Sequence, residues 1–231
     1  MKKIVVLTGA GSSSEIGLRT FREAGGLWEG HDVTKVASPE GWAADQEMVL
    51  DFYNQRRKQA LTAHPNRGHV GLVELEGDHE VVIVTQNVDN LHEQAGSSCV
   101  IHLHGELFKV RSTADPSLVY DLEGWELKSG DLCEKGSQLR PHIVWFGESV
   151  PMMETAMHEA MSADIFIVIG TSLLVYPAAG LIDFVSDSAP KIIIDPHLPS
   201  LNSHQNLHLI EEPASTGVDK AILLIRKELK D

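Results

Sequence analysis

The chain of 231 residues has 33 acidic residues against 19 Lys and Arg, a formal net charge of −14, and a hydrophobic content of 42%. This content is typical of a globular protein and excludes a fibrous or disordered chain, while the negative field opposes broad binding to nucleic acids or anionic membranes. The two cysteines, Cys99 and Cys133, match no disulfide framework or multi-cysteine metal site.

The N-terminal apolar run Ile4–Leu7 is too short for the core of a signal peptide, and no run approaches the roughly 18 residues of a membrane span. The sequence therefore predicts a soluble, cytoplasmic protein without nucleic-acid or membrane partners. We expect it to be a monomer.

Short β-branched segments recur along the chain, and each is nearly continuous rather than alternating in hydrophobicity. This pattern is typical of parallel strands that are covered on both faces. The segments are Ile4–Leu7, Val81–Val84, Val100–Leu103, Ile165–Ile169 and Ile192–Ile194. Helical spacing is found in Gln46–Leu61, Met152–Met161, Ala178–Val185 and Val218–Leu229. The alternation predicts an α/β fold with a doubly wound, Rossmann-like parallel sheet.

Two regions interrupt the alternation of strands and helices. Residues 24–68 predict a helical insertion that contains a helix pair. Residues 109–140 are polar and low in apolar periodicity, and they predict a small inserted lobe.

A glycine-rich turn, Thr8–Ser14, follows the first predicted strand directly. Such a turn at the start of a helix binds phosphate, because glycines let backbone amides approach the anion and the helix dipole favours negative charge. A dinucleotide diphosphate is the natural ligand. A plain tight turn remains the alternative, since Ser14 stands where the dehydrogenase fingerprint has its third glycine.

Polar side chains also follow the second and third predicted strands. Gln86, Asn87 and Asp89 stand where ligands bind in open α/β sheets, although helix capping would explain part of this cluster. His102 and His104 share one face if the third strand continues, and His104 at its end is a candidate general base, because the pKa of histidine lies near working pH.

Six ordered motifs in this sequence resemble the motif set of the sirtuin family: Gly9–Arg22, Thr85–His92, His102–Leu107, Arg140–Glu148, Gly170–Ser172 and Ala214–Val218. The resemblance implies a single sirtuin-type catalytic domain over residues 1–231, with NAD as cofactor and acylated-lysine proteins or peptides as partners. In the implied reaction the lysine-acyl oxygen attacks the nicotinamide ribose, nicotinamide leaves, and a histidine base activates a ribose hydroxyl that receives the acyl group.

The resemblance also implies roles for individual residues. His104 resembles the general base, and Asn87 and Asp89 complete the implied catalytic set. The implied cofactor-binding residues are Gly9, Ala10, Gly11, Glu15, Thr20, Phe21, Arg22, Trp28, Gln86, Asn87, Val88, Asp89, Gly170, Thr171, Ser172, Asp195 and Ala214. The strand that pairs with the substrate peptide is implied to comprise Val144, Trp145, Phe146 and Gly147.

Tyr53 and Arg56 are spaced i,i+3 on a predicted helix and therefore share a face. A phenol beside a guanidinium can bind a carboxylate. The pair resembles that of class III bacterial sirtuins, which remove succinyl and malonyl groups, and so implies an acidic acyl substrate. The alternative is a half-buried tyrosine next to a solvated arginine.

The sequence departs from the family at several places, which include the glycine-rich turn and the small lobe. Ser12 stands in the glycine-rich turn where an apolar residue is usual. Most sirtuins also bind a structural zinc ion through four cysteines, whereas here Ser112–Asp115 occupies the place of the first pair and only Cys133 remains near the second. We therefore expect no metal, and predict that an apolar cluster replaces it, formed by Leu118, Leu122, Trp125, Leu127 and Leu132.

Three alternative functions follow from the same features. A sirtuin-type NAD site also supports ADP-ribose transfer to protein, and a non-catalytic NAD or ADP-ribose sensor is compatible with the altered lobe. A dehydrogenase is disfavoured, because the third glycine and a ribose-binding acid at the expected distance are both missing.

Overall fold

The computed structural model describes residues 1–15, 27–28, 31–199 and 204–228, and gives the backbone alone for residues 14, 27, 28 and 228. The strands are β1 Lys3–Thr8, β2 Leu27–Trp28, β3 His31–Asp32, β4 Glu80–Thr85, β5 Val100–His102, β6 Gly105–Ser112, β7 Val119–Asp121, β8 Leu139–Ile143, β9 Ile165–Ile169, β10 Lys191–Ile194 and β11 Leu207–Ile210. The helices are α1 Gly11–Ser14, α2 Val33–Val36, α3 Pro39–Ala44, α4 Gln46–Ala60, α5 Arg67–Leu75, α6 Leu91–Ala95, α7 Met153–Met161 and α8 Ala214–Glu228, with a 3₁₀ helix at Ala178–Phe184.

Six strands form one parallel sheet in the order β11-β10-β9-β1-β4-β5. The predicted Rossmann-like fold and its five predicted strands are confirmed. The sequence reasoning missed β11, which lies at the sheet edge and keeps all four residues partly or fully exposed. An edge strand of this kind lacks the continuous hydrophobic run of a strand that is covered on both faces.

Both faces of the sheet are covered, and β1 shows why its sequence is almost entirely β-branched. Val5 and Leu7 pack on the face covered by α7 and the 3₁₀ helix. Ile4 and Val6 pack on the opposite face, which α5 and α8 cover. Because successive strand residues point to opposite faces, a doubly covered strand must be apolar at every position.

A second region combines helices with a small antiparallel sheet of order β7-β6-β8. The described part of residues 24–68 holds α2, α3, α4 and the start of α5, where a helix pair was expected. Trp42 and Tyr53 of the helical region share a core with Ile143, at the end of β8, and with Trp145 just after it. The helical region and the small lobe are therefore packed together.

The apolar cluster predicted in place of zinc is wrong. Leu132 is 55% exposed, whereas Leu127 is buried in the shared core of the helices and the small sheet. Trp125 packs beneath the Lys58 ammonium group, 3.6 Å from the ring centroid. The leucines of this lobe therefore do not form a separate core. Among the described residues, no helix has the length and apolar character to cross a membrane.

Candidate active site

A cleft of about 670 Å³ opens where β1, β4 and β9 end. This is the edge of the sheet at which open α/β folds bind ligands, and the volume is typical of small-molecule sites. Among the predicted site residues, those that line the cleft are Gly9, Ala10, Gly11, Glu15, Arg56, Gln86, Asn87, Val88, Asp89, His104, Val144, Trp145, Phe146, Gly147, Gly170, Thr171 and Asp195.

The glycine-rich turn is held against the end of β9 by its backbone. The N–H of Gly9 donates to the carbonyl of Ile169 at 3.0 Å, and the N–H of Gly11 donates to the carbonyl of Gly170 at 2.8 Å. Gly170 itself has φ +62°. The close approach of the two segments depends on glycine at both, since a Cβ on Gly11 would lie 2.6 Å from the Cα of Gly170.

The loop after β4 brings amides and a carboxylate against this turn. The Nδ2 group of Asn87 donates to the carbonyl of Gly9 at 3.2 Å and to Ser12 Oγ at 3.0 Å. Gln86 Nε2 donates to Thr171 Oγ1 at 3.2 Å, which connects the loops after β4 and β9. Asp89 Oδ1 accepts from the N–H of Leu91 at 3.2 Å, and burial raises the pKa of the Asp89 carboxyl.

His104 lines the cleft with a partly buried imidazole group. Its Nδ1 lies 3.0 Å from the carbonyl oxygen of Gln86. A carbonyl only accepts, so Nδ1 carries the proton and Nε2 is left as the basic nitrogen. Burial lowers the pKa of His104, which keeps the imidazole neutral at neutral pH. Both properties are those required of a general base.

His102 has a different environment, although the sequence placed it beside His104. β5 ends at His102, whose Nε2 lies 2.6 Å from Glu93 and whose Nδ1 lies 3.3 Å from the carbonyl of Asn87. Burial acts to lower the pKa of His102, but the hydrogen bond and ion pair with Glu93 outweigh burial and raise it. His102 therefore braces the loop after β4 and does not line the cleft.

The segment Val144–Gly147, predicted as the strand that pairs with the substrate, lies beyond the end of β8, turns at Phe146 and Gly147, and forms one wall of the cleft. The N–H of Val144 donates to the carbonyl of His104, and the N–H of Phe146 donates to the carbonyl of Ala37, both at 2.9 Å. Glu148, which the predicted site residues did not include, accepts from the N–H of Trp145 at 2.8 Å and pairs with Arg140 at 2.7 Å. This carboxylate fixes the turn that follows the strand.

Tyr53 and Arg56 differ in their exposure to the cleft. Arg56 lines the cleft, whereas Tyr53 is fully buried and its hydroxyl accepts from Trp145 Nε1 at 3.0 Å. Burial raises the pKa of the Tyr53 hydroxyl, which stays protonated. The sequence showed the shared helix face but not the hydrogen bond between Trp145 and Tyr53.

The other predicted residues fall into two groups. Ser172 and Ala214 do not line the cleft, and Ala214 is buried beside Pro213, which does. Thr20, Phe21, Arg22 and the side chain of Trp28 lie outside the described residues. The cleft also contains residues that the sequence reasoning did not select: Ser13, Ala37, Ile143, Glu148, Val150, Val175, Tyr176, Pro177, Pro196, His197 and Pro213. Glu148 lies within the motif Arg140–Glu148, but the sequence alone does not show which groups its carboxylate contacts.

The cleft fits NAD. A glycine-rich turn, an amide cluster and an imidazole face one space of dinucleotide size. Gly9, Ala10 and Gly11 would hold the diphosphate, and Asn87 and Asp89 the nicotinamide side. Asp195 also lines the cleft, where its Oδ1 accepts from the N–H of His197 at 2.8 Å.

The small lobe, in contrast, does not fit zinc. At the spacing of two cysteine pairs it offers Ser112, Asp115, Cys133 and Gly136, of which two can ligate. Asp115 Oδ2 accepts from the Lys135 ammonium group at 2.6 Å, and Cys133 Sγ lies 3.4 Å from Ser112 Oγ. The ion pair between Asp115 and Lys135 and the hydrogen bond between Cys133 and Ser112 thus join the turn at residues 112–115 to the turn at residues 133–136. The described residues contain no cluster of three or more metal-ligating side chains.

We predict that the purified protein contains less than about 0.1 equivalent of zinc and that a chelator leaves its Tm unchanged, since no folding energy comes from metal. The triple variant Ser112→Cys, Asp115→Cys and Gly136→Cys restores four thiols around Cys133, and we expect it to bind one zinc ion and to lose Tm on chelation. Elemental analysis and thermal unfolding measure both. One equivalent of zinc in the wild-type protein would contradict the prediction.

The sheet and cleft define an α/β enzyme of the Rossmann-like class with a dinucleotide site at the carboxyl edge. The Sir2 family model matches residues 9–177, and the chain belongs to the Sir2 family. The predicted resemblance to sirtuins is confirmed.

Relatives and solved structures agree with this assignment. NAD-dependent protein deacylase of Bacteroides thetaiotaomicron is 52% identical over 225 residues, covering 95% of this chain and 96% of its own. The protein of the same description from Helicobacter pylori is 53% identical over 214 residues, covering 93% of each chain. A Sir2 homologue–NAD complex superimposes with a TM-score of 0.87 at 39% identity, covering 99% of this chain and 91% of that one. A Sir2 point mutant in complex with p53 peptide and NAD gives a TM-score of 0.78 at 29% identity, covering 95% and 92%.

Proposed function

We propose that this chain is an NAD-dependent protein-lysine deacylase that transfers the acyl group from lysine to ADP-ribose and releases nicotinamide. The observation that carries the proposal is the meeting of His104, Asn87 and Asp89 with the glycine-rich turn in one cleft. The naming of close, nearly full-length relatives as NAD-dependent protein deacylases supports it.

NAD, when bound, supplies the ADP-ribosyl group that receives the acyl group. The chain's own residues hold and orient the reactants. Nε2 of His104 is the base that takes a proton from a ribose hydroxyl, because Nδ1 is committed to the carbonyl of Gln86. The N–H groups of Val144 and Phe146 are bonded within the protein. A substrate peptide that pairs with Val144–Gly147 must therefore use other backbone groups of this segment.

Acyl selectivity is assigned to Arg56 in the cleft wall. A guanidinium in a partly buried site binds the carboxylate of a succinyl or malonyl chain by charge-assisted hydrogen bonds. Tyr53 supports this wall from behind, since its hydroxyl holds the indole of Trp145. The two residues of the predicted pair therefore have unequal roles: Arg56 contacts the acyl carboxylate and Tyr53 holds the wall.

Replacing Arg56 by methionine is expected to lower kcat/KM for a succinyl-lysine peptide by about 10- to 100-fold, because a hydrogen bond to a charged group contributes about 1.5–3 kcal/mol. The value for the matched acetyl-lysine peptide should change by less than about threefold. Arg226→Met on the exposed face of α8 is the matched control. Tyr53→Phe should affect both peptides alike, since it removes the hydroxyl group that holds the indole of Trp145. Equal losses for both peptides in Arg56→Met would refute the assignment of selectivity.

The partners proposed are acylated proteins, and the enzyme is proposed to act as a cytoplasmic monomer. Light scattering of the purified protein measures its mass in solution. Incubation with labelled NAD separates deacylation from ADP-ribose transfer to protein, because only transfer leaves the label on the acceptor. Release of nicotinamide with an acylated peptide excludes a non-catalytic sensor.

A further inference from the structure

Ser12 is a buried hydroxyl group in the glycine-rich turn that none of the predicted site roles includes. It is 3% exposed. Its Oγ donates to the carbonyl of Gly9 at 2.7 Å and accepts from Asn87 Nδ2 at 3.0 Å. Its carbonyl accepts from Asn66 Nδ2 at 2.8 Å. Ser12 therefore joins the glycine-rich turn, the loop after β4 and the start of α5.

The backbone of Asn87 is fixed without Ser12. Its N–H donates to Thr85 Oγ1 at 3.0 Å. Thr85 Oγ1 in turn lies 2.8 Å from Thr8 Oγ1, which lies 3.0 Å from His92 Nε2. Loss of the Ser12 hydroxyl should therefore leave the main chain of Asn87 in place and alter only its side chain.

The orientation of the Asn87 amide depends on the acceptors around Nδ2. These are the carbonyl of Gly9 at 3.2 Å, Ser12 Oγ at 3.0 Å and Ser13 Oγ at 3.2 Å. Two amide hydrogens share three acceptors, and Ser12 provides the shortest contact. With Nδ2 committed to the turn, Oδ1 is the atom that Asn87 offers to a ligand.

We infer that Ser12 is a positioning residue that sets the affinity of the enzyme for nicotinamide by holding the Asn87 amide with Oδ1 as its ligand-facing acceptor. The inference rests on the proposed assignment of Asn87 to the nicotinamide side of the cleft. The carboxamide of nicotinamide carries N–H donors, which match the acceptor Oδ1 of Asn87. If the Asn87 amide were rotated, its own N–H donors would face those of the ligand.

The test is the binding of nicotinamide to enzyme saturated with ADP-ribose, measured by saturation-transfer NMR. Ser12→Ala is expected to raise the Kd of nicotinamide by about 3- to 10-fold, the effect of one hydrogen bond. The Kd of ADP-ribose, measured by calorimetry, should stay within about twofold, because ADP-ribose lacks the carboxamide. Ser98→Ala, at an exposed serine before β5, is the matched control.

A double-mutant cycle with Asn87→Ala distinguishes loss of the Ser12–Asn87 hydrogen bond from a general loosening of the turn by Ser12→Ala. In the Asn87→Ala background, Ser12→Ala should no longer change the Kd of nicotinamide. Two results would overturn the inference: an unchanged Kd in Ser12→Ala, or an equal weakening of nicotinamide and ADP-ribose. Failure of the wild-type enzyme to bind nicotinamide would instead overturn the assignment of Asn87 in the proposed function.

Discussion

Replacing His104 by asparagine is expected to lower the rate of deacylation by about 10²- to 10⁴-fold, the range lost with a general base. Asparagine retains an N–H that can donate to the carbonyl of Gln86, as Nδ1 of His104 does at 3.0 Å. The variant therefore keeps the side chain in place and removes only the basic nitrogen. The measurement is single-turnover kinetics with an acylated peptide and NAD.

The pH dependence tests the same assignment. Burial lowers the pKa of His104 below its ordinary value, so the neutral, basic form persists to lower pH than for a free imidazole. The rate should therefore be level around pH 7 and fall only at pH values below about 6.5, as the imidazole becomes protonated. The residual rate of His104→Asn should lack this fall.

Two controls separate loss of the base from loss of the fold. His158→Asn, at an exposed position on α7, should behave like the wild-type enzyme. His104→Asn should bind ADP-ribose with wild-type affinity, because His104 is assigned to proton transfer and not to cofactor binding. A His104→Asn enzyme that keeps more than about one-tenth of the wild-type rate would show that another group is the base.

The parallel sheet was predictable because burial on both faces leaves a clear pattern in sequence. Strands such as Ile165–Ile169 have every residue buried, and their continuous β-branched runs follow from that. The edge strand β11 carries no such constraint and was missed. Sequence patterns thus identify strands through their burial.

The cleft was predictable where a motif places backbone and polar groups at a strand end, as at Gly9 and Asn87. It was not predictable where the role of a residue depends on a partner far along the chain. Tyr53 is 92 residues from Trp145, and Ser12 is 75 residues from Asn87. Spacing on one helix or in one turn contains no information about such contacts.

The small lobe shows the same limit. The missing cysteines were visible in sequence, but the prediction of an apolar replacement was wrong. Lys135 and Ser112 supply polar links between the same two turns, to Asp115 and Cys133. Their side chains resemble ordinary surface residues in sequence, and their roles follow only from the fold, which brings the turns together.

The glycine-rich turn packs closely on the end of β9, and Gly170 lies at this contact. Replacing Gly170 by alanine is expected to abolish measurable ADP-ribose binding and to destabilise the protein by about 2–5 kcal/mol. A Cβ on Gly170 would lie 2.2 Å from the amide nitrogen of Ser12 and 2.5 Å from the carbonyl carbon of Gly11. The estimate sums about 1–2 kcal/mol for alanine in a left-handed conformation and about 1–3 kcal/mol for overpacking.

Gly124→Ala separates these two contributions. Gly124 has φ +81° but nothing within 4 Å of an added Cβ, so alanine there incurs the conformational cost without the overlap. We expect Gly124→Ala to lower the free energy of unfolding by about 1–2 kcal/mol and to leave ADP-ribose affinity unchanged. Denaturant unfolding and calorimetry measure both quantities. The expectation would be contradicted if both variants were equally destabilised and Gly170→Ala still bound ADP-ribose. In that case the turn could move away from β9 without loss of binding, and the cofactor site would not depend on the contact between the turn and β9.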